Sequence, residues 1–207
     1  MSDSDPTLGG DIGRRGMPSG RMEALTDGVV AIVITVMVIE LRVPAGNGWV
    51  GLAASLPLLL VYALSFVNVG LFWNNHHHLL QATGRIDGRV LWANLFHLFW
   101  LSLIPYTIRW LDESGFAALA VAAYGVILGM ASIGYELLVR TIIASHPGNA
   151  VIARAVGRDI KGRVSVASYA LAAGLALVHP GIALAIYLAI ILLWLVPDRR
   201  MERILSD

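Results

Sequence analysis

The 207-residue chain has no cysteine. That excludes disulfides, thiolate catalysis and sulfur-ligated zinc or iron–sulfur centres. Charge is the second shortage. Asp, Glu, Lys and Arg make up 14% of the residues, where soluble globular chains carry about a quarter. The formal net charge is +1, which leaves no excess of cations to neutralise phosphates, so no nucleic-acid partner is expected. Enzyme signatures are missing too: there is no G-x-S-x-G, no H-E-x-x-H and no phosphate-binding glycine loop. The carbonyl potassium filter T-V-G-Y-G is absent as well, and the two halves show no self-similarity of the inverted-repeat kind. Hydrophobic residues, by contrast, reach 57% and the mean hydropathy is +0.71. This is too apolar for a disordered chain or a soluble monomer. An integral membrane protein in a lipid bilayer remains.

A helix crosses the hydrocarbon layer in roughly 20 residues. Six apolar runs qualify: about Asp27 to Val43, Trp49 to Trp73, Val90 to Leu111, Phe116 to Ile143, Val164 to Val178 and Ile182 to Val196. The last two are short and share the break His179-Pro180-Gly181. They read as two spans with snorkelling ends, a re-entrant pair being the alternative. The chain is therefore expected to be all-α, with a flexible cytoplasmic tail over 1–20, a six-helix transmembrane domain over 21–198 and a second cytoplasmic tail over 199–207. The polar start carries Asp3, Asp5 and Asp11 ahead of Arg14 and Arg15, unlike the basic start of a secretory signal.

Orientation follows from the basic residues. With both termini inside, the cytoplasmic set is Arg14, Arg15, Arg21, Arg85, Arg89, Arg140, Arg154, Arg158, Lys161, Arg163, Arg199, Arg200 and Arg203; only Arg42 and Arg109 fall outside.

Polar groups at membrane depth are costly and so carry information. Glu23 and Asp27 are four apart and share a helix face. Arg21 lies about 120° from Asp27 around a helix, so it is expected to reach a neighbouring helix; a snorkelling Arg and a capping Asp are the plainer reading. Gly28, Ile32, Thr35, Val36 and Ile39 form one stripe at helical spacing. Such a stripe is usually packing, and a membrane Thr commonly bonds its own i−4 carbonyl. The stripe nevertheless holds the two elements of a narrow pore, bulky apolar side chains and a hydroxyl. His76, His77 and His78 point about 100° apart on a helix and cannot ligate one metal from one face. Asn94 and His97 share a face as candidate interhelical hydrogen-bonding groups. Glu136 is a further candidate buried acid.

Three segments carry a resemblance. The first is Arg21-x-x-x-Leu25-Thr26-Asp27, followed by the run through Thr35. The second is Trp73, Asn75, His76 and His77, and the third is Asn94 with Ile104-Pro105-Tyr106. Together they resemble the bacterial members of the transmembrane protein 175 family, the lysosomal-type potassium channels. The likeness is specific from about residue 20 to 107. Leu25 and Thr26 depart from the family's Phe and Ser, each keeping its character.

The resemblance implies a homotetramer in the cell membrane, with four copies of the first helix around one pore and K+ as the permeant ion, without a cofactor. It makes Ile32, Val36 and Ile39 the apolar constriction and Thr35 the hydroxyl layer favouring K+ over Na+. It assigns Arg21, Thr26, Asp27, His77 and Asn94 to a polar network tying the first three helices together. Two other functions stay open, a proton-conducting path suggested by Asp27 and the histidines, and a non-conducting membrane scaffold.

Overall fold

The computed structural model describes residues 16–43, 48–146 and 160–195. Strand β1 (Met17–Pro18) leads into helix α1 (Ser19–Ile39), and α2 (Trp49–Gln81) follows. Then come strand β2 (Arg85–Ile86) and helices α3 (Gly88–Ser102), α4 (Ile104–Glu113), α5 (Ala118–Ser145), α6 (Ile160–Ala176) and α7 (Pro180–Leu195). Since α3 and α4 continue one rod, the described chain makes the six rods that the apolar runs predict. Four of them, α1, α2, Gly88–Glu113 and α5, are long and apolar enough to cross a membrane. Helices α6 and α7, with 17 and 16 residues, reach about 24–26 Å at 1.5 Å per residue.

The boundaries differ from the sequence reading at three places, each for a physical reason. Helix α1 begins at Ser19, not Asp27. Met22 and Thr26 extend the buried line Val30, Val33, Met37 backwards at the same spacing, so the polar residues between them occupy other faces and do not stop the helix. Helix α2 continues to Gln81, eight residues beyond Trp73. Its 33 residues span about 50 Å, and the last two turns carry His76 and His77, which bond α3 and α1. The third rod breaks at Leu103, because Pro105 has no N–H to continue the ladder.

The all-α class holds apart from one short antiparallel ladder, Met17 opposite Ile86 and Pro18 opposite Arg85. The Arg85 guanidinium donates to the Gly16 carbonyl beside it. Residues 16–20, part of the expected tail, are thus engaged in the ladder and in α1. The expected tails over 1–15 and 199–207 lie outside the described residues.

Helix ends are closed locally. Asp87 caps α3, its Oδ1 accepting from the N–H of Arg89 at 2.9 Å and of Val90 at 3.0 Å. Ser145, at the end of α5, donates to its Oδ2 at 3.0 Å. These bonds, the Val90 N–H foremost, hold the Asp87 carboxyl below its ordinary range. At the end of α4, Phe116 N–H donates to Leu111 O at 2.8 Å and Gly115 N–H to Asp112 O at 3.1 Å. Gly115 has φ +60°, the left-handed turn such a helix end requires.

Helix α5 packs against α3, α4, α6 and α7. Lipid tails are as apolar as a core, so close approach and polar staples hold the rods together rather than expulsion from water. A Cβ on Gly134 would lie 2.8 Å from His97 Cα, so α3 and α5 touch backbone to backbone. Tyr124 and Ser65 hydroxyls pair at 2.8 Å, Asn68 donates to Tyr169 Oη at 2.9 Å, and Trp194 donates to Ser165 Oγ at 2.8 Å.

The rods alternate in direction. The starts of α1, α3 and α6 and the ends of α2, α5 and α7 share one end of the bundle, the proximal end, as the β1–β2 ladder, the Ser145–Asp87 and Trp194–Ser165 contacts and the meeting of Asn75, Glu136, Gly162 and Trp194 around one cavity place them. Arg21, Arg85, Arg89, Arg140, Lys161 and Arg163 cluster there by connectivity. Arg42 and Arg109 are at the opposite, distal end, where they share Glu113.

Candidate functional site

Helix α1 has two unlike faces. One, Met22, Thr26, Val30, Val33 and Met37, is buried against the rest of the chain. The other carries Ile32 and Ile39, which are 63% and 71% exposed, with Gly28 and Thr35 also exposed and Val36 half-buried. The five stripe residues read from the sequence therefore lie on an open face of the single subunit. Thr35 Oγ1 donates to Ala31 O at 2.8 Å. Its one proton is tied back to the helix, so the oxygen's lone pairs remain available on the open face.

Behind that face, at the proximal end, sits a buried polar triad. His76 Nε2 is 2.9 Å from Asn94 Oδ1, and Asn94 Nδ2 donates to Thr26 Oγ1 at 3.1 Å. A carbonyl oxygen only accepts, so His76 carries its proton on Nε2 and donates it to Asn94. Thr26 Oγ1 also lies 3.4 Å from His76 Nε2. All three side chains are 1% exposed or less, and they bind α1, α2 and α3 at one point.

A second, half-exposed set lies beside it. His77 Nδ1 donates to Glu23 Oε1 at 2.6 Å, while Gln81 Nε2 meets His77 Nε2 at 2.8 Å. Trp73 stacks on the His77 ring and donates to Asp27 Oδ1 at 2.8 Å.

Thr26 and Asn94 thus meet in the triad, and Asp27 and His77 belong to the neighbouring set. His77 ties α2 to α1 through Glu23, while the histidine that meets Asn94 of α3 is its neighbour His76. One correction follows. Arg21 is exposed and has no hydrogen-bond or ion-pair partner among the described residues, so it is not a member of the network within one subunit. His76 was legible in principle: it continues the inward line Val61, Ser65, Asn68, Val69 of α2 once that helix is carried past Trp73. Glu23 and Trp73 find their partners on a neighbouring helix, which no local pattern encodes, while Gln81 meets His77 one turn back on α2.

The remaining candidates have separate roles. His97 Nδ1 donates to Ala131 O at 2.8 Å and fastens α3 to α5. Glu136 pairs with Arg140 one turn away on α5 rather than standing as a lone buried acid. Among the described residues no group of three or more His, Asp or Glu side chains converges as a metal site. A cavity of about 40 Å³ lies between α2, α5, α6 and α7, lined by Asn68, Asn75, Ser132 and Tyr169 among others; it is away from the open face of α1. At the distal end, Arg42 and Arg109 interlock with Glu40, Asp112 and Glu113.

Comparison with known proteins agrees with this arrangement. Residues 21–105 match the family described as endosomal/lysosomal potassium channel TMEM175; the segment contains α1, α2, α3 and both polar sets. A potassium channel of Chryseobacterium sp. (strain P1-3) is 44% identical over 191 residues, which are 92% of this chain and 100% of that one. A potassium channel of Streptomyces collinus is 30% identical over 128 residues, covering 58% of this chain and 62% of that one. The crystal structure of a lysosomal potassium-selective channel TMEM175 homolog from Chamaesiphon minutus has the same fold. Its TM-score is 0.71 at 24% identity, over 86% of this chain and 96% of that chain. With the Chryseobacterium relative aligned over its whole length, this chain belongs to the TMEM175 family of multi-pass membrane proteins.

Proposed function

We propose that the chain is a passive potassium channel in which four copies place the open faces of α1 around one central pore. The observation that carries this reading is the asymmetry of α1: one face is buried within the subunit, and the other presents Ile32, Thr35, Val36 and Ile39 outward as a continuous stripe. The names of the Chryseobacterium and Streptomyces relatives support potassium as the permeant ion. The concentration of Lys and Arg at the proximal end supports a cytoplasmic position for that end and both termini, in the cell membrane.

The conduction mechanism follows from the side chains. A ring of four Ile32 offers no ligand, so water leaves it readily and an ion meets a dewetting barrier. One turn on, four Thr35 oxygens face an ion that has lost part of its hydration. Potassium sheds water at lower cost than sodium, so a partial oxygen ring favours it without a full carbonyl cage. Val36 and Ile39 add apolar layers. The Thr26–His76–Asn94 triad fixes the register of α1 against its neighbours but lies behind the stripe. A proton path through the histidines has less support: His76 is buried behind α1, and His77 turns to Glu23 and Gln81.

Purified full-length protein in liposomes tests the reading. Potassium flux down its own gradient, without a proton gradient, is the expected result. Flux only when a pH difference drives it would favour the proton path, and silence would favour a scaffold.

A further inference from the structure

The distal end of α1 is held by charge. Arg42 lies three residues past Ile39; its Nε is 3.1 Å from Asp112 Oδ2 and its Nη2 2.8 Å from Glu113 Oε1. Arg109 reaches the same Glu113 oxygen at 3.0 Å and extends to Glu40 Oε2 at 3.9 Å. Two residues that follow α1, Glu40 and Arg42, are thereby locked to three on α4. The α4 side is anchored, with Ile104, Ile108 and Leu111 fully buried and its end closed by the Leu111 and Asp112 carbonyl bonds. Helix α1 packs on α4 while its open stripe faces away from its own subunit, so the tie acts from the side opposite Ile32 and Ile39.

We infer that this clasp positions the pore helix: it holds the distal end of α1 back against α4 and keeps the ring of Ile39 side chains from closing on itself. The inference rests on the proposed pore. Ile39 is the most exposed residue of the stripe's apolar positions, at 71%. Four such side chains facing one another across water gain by meeting, so an untethered end moves toward the axis. Exposed ion pairs contribute little to folding; what the clasp controls is where one helix end stands.

The test uses the full-length protein in liposomes. In Arg42→Ala, K+ conductance is expected to fall about threefold, the scale exposed ion pairs can shift in an equilibrium, with tetramer yield and thermal midpoint unchanged. Asp112→Asn acts the same way but less, since Glu113 still holds Arg42. A purely electrostatic role gives the opposite sign, because removing Arg42 leaves the mouth more negative and attracts cations. Adding Ile39→Ala to Arg42→Ala should restore conductance, since the smaller side chains cannot close the ring. The absence of native cysteine allows a direct rescue. Arg42→Cys with Asp112→Cys, joined by a short bifunctional thiosulfonate, should gain conductance on cross-linking and lose it on reduction. Wild-type conductance in Arg42→Ala, a rise instead of a fall, or no gain on cross-linking overturns the clasp. The pore reading fails separately, if wild type conducts but Ile32→Asn leaves the current, and Thr35→Val the K+/Na+ permeability ratio, unchanged.

Discussion

The two ends of α1 are fastened by opposite means. At the proximal end, Thr26, His76 and Asn94 include no carboxylate or guanidinium and are wholly buried. At the distal end, Arg42 and Arg109 carry charge, and about 60% of each side chain is exposed. Buried polar groups that lose a partner keep their full desolvation cost, whereas exposed ion pairs exchange one partner for water at little cost. The proximal end is therefore built to fix the fold, and the distal end can yield without unfolding anything. In one helix, stability and adjustability are assigned to different termini.

The comparison breaks first at Asn94. Asn94→Leu removes both an acceptor for His76 and a donor for Thr26, leaving these buried groups only their long 3.4 Å contact, at about 1–3 kcal/mol for each under-satisfied group. A clear fall in thermal midpoint of the purified protein is expected, far larger than for Arg42→Ala. Equal midpoints for the two variants would erase the distinction between the ends.

A smaller effect is expected at Asp87, which caps α3 and ties it to Ser145. Asp87→Ala should cost about 1 kcal/mol, as N-cap removals do. The pH dependence has a definite sign. The folded-state pKa of Asp87 is depressed, so its contribution is complete above the ordinary Asp value of about 3.9 and is lost as pH falls through the folded value. The gap between wild type and Asp87→Ala, read as thermal midpoints, should narrow below about pH 4. A gap that widens there contradicts the cap geometry.

Arg21→Ala should change least. The side chain is exposed and unpartnered among the described residues, and such surface changes usually stay within about 0.5 kcal/mol. A large loss of assembly in this variant would mean that Arg21 acts between subunits of the proposed tetramer, and the proximal end would then include charged fastening as well.

Much of this architecture can be read from the chain, and the exceptions share a cause. The stripe at 28, 32, 35, 36 and 39 is legible because helical periodicity is a local property. Which of His76 and His77 meets Asn94 is a matter of one residue, or about 100° of rotation. Hydropathy ends at Trp73 while the helix continues to Gln81, so the apolar pattern alone does not carry the inward line as far as the histidines. The clasp joins Arg42 to Glu113, 71 residues away, and the ladder joins Met17 to Ile86. No local pattern encodes either pairing; they exist only once the rods are side by side.

The central claim, that the open face of α1 lines a potassium path, is tested most directly by bi-ionic reversal potentials of Thr35→Val, with Ile32→Asn recorded alongside. Thr35→Val keeps the side chain's shape and removes its oxygen, so the K+/Na+ permeability ratio should fall while current persists. Ile32→Asn should hydrate the constriction and raise conductance. An unchanged ratio in Thr35→Val together with unchanged current in Ile32→Asn would contradict the account, because ions would then pass without meeting α1.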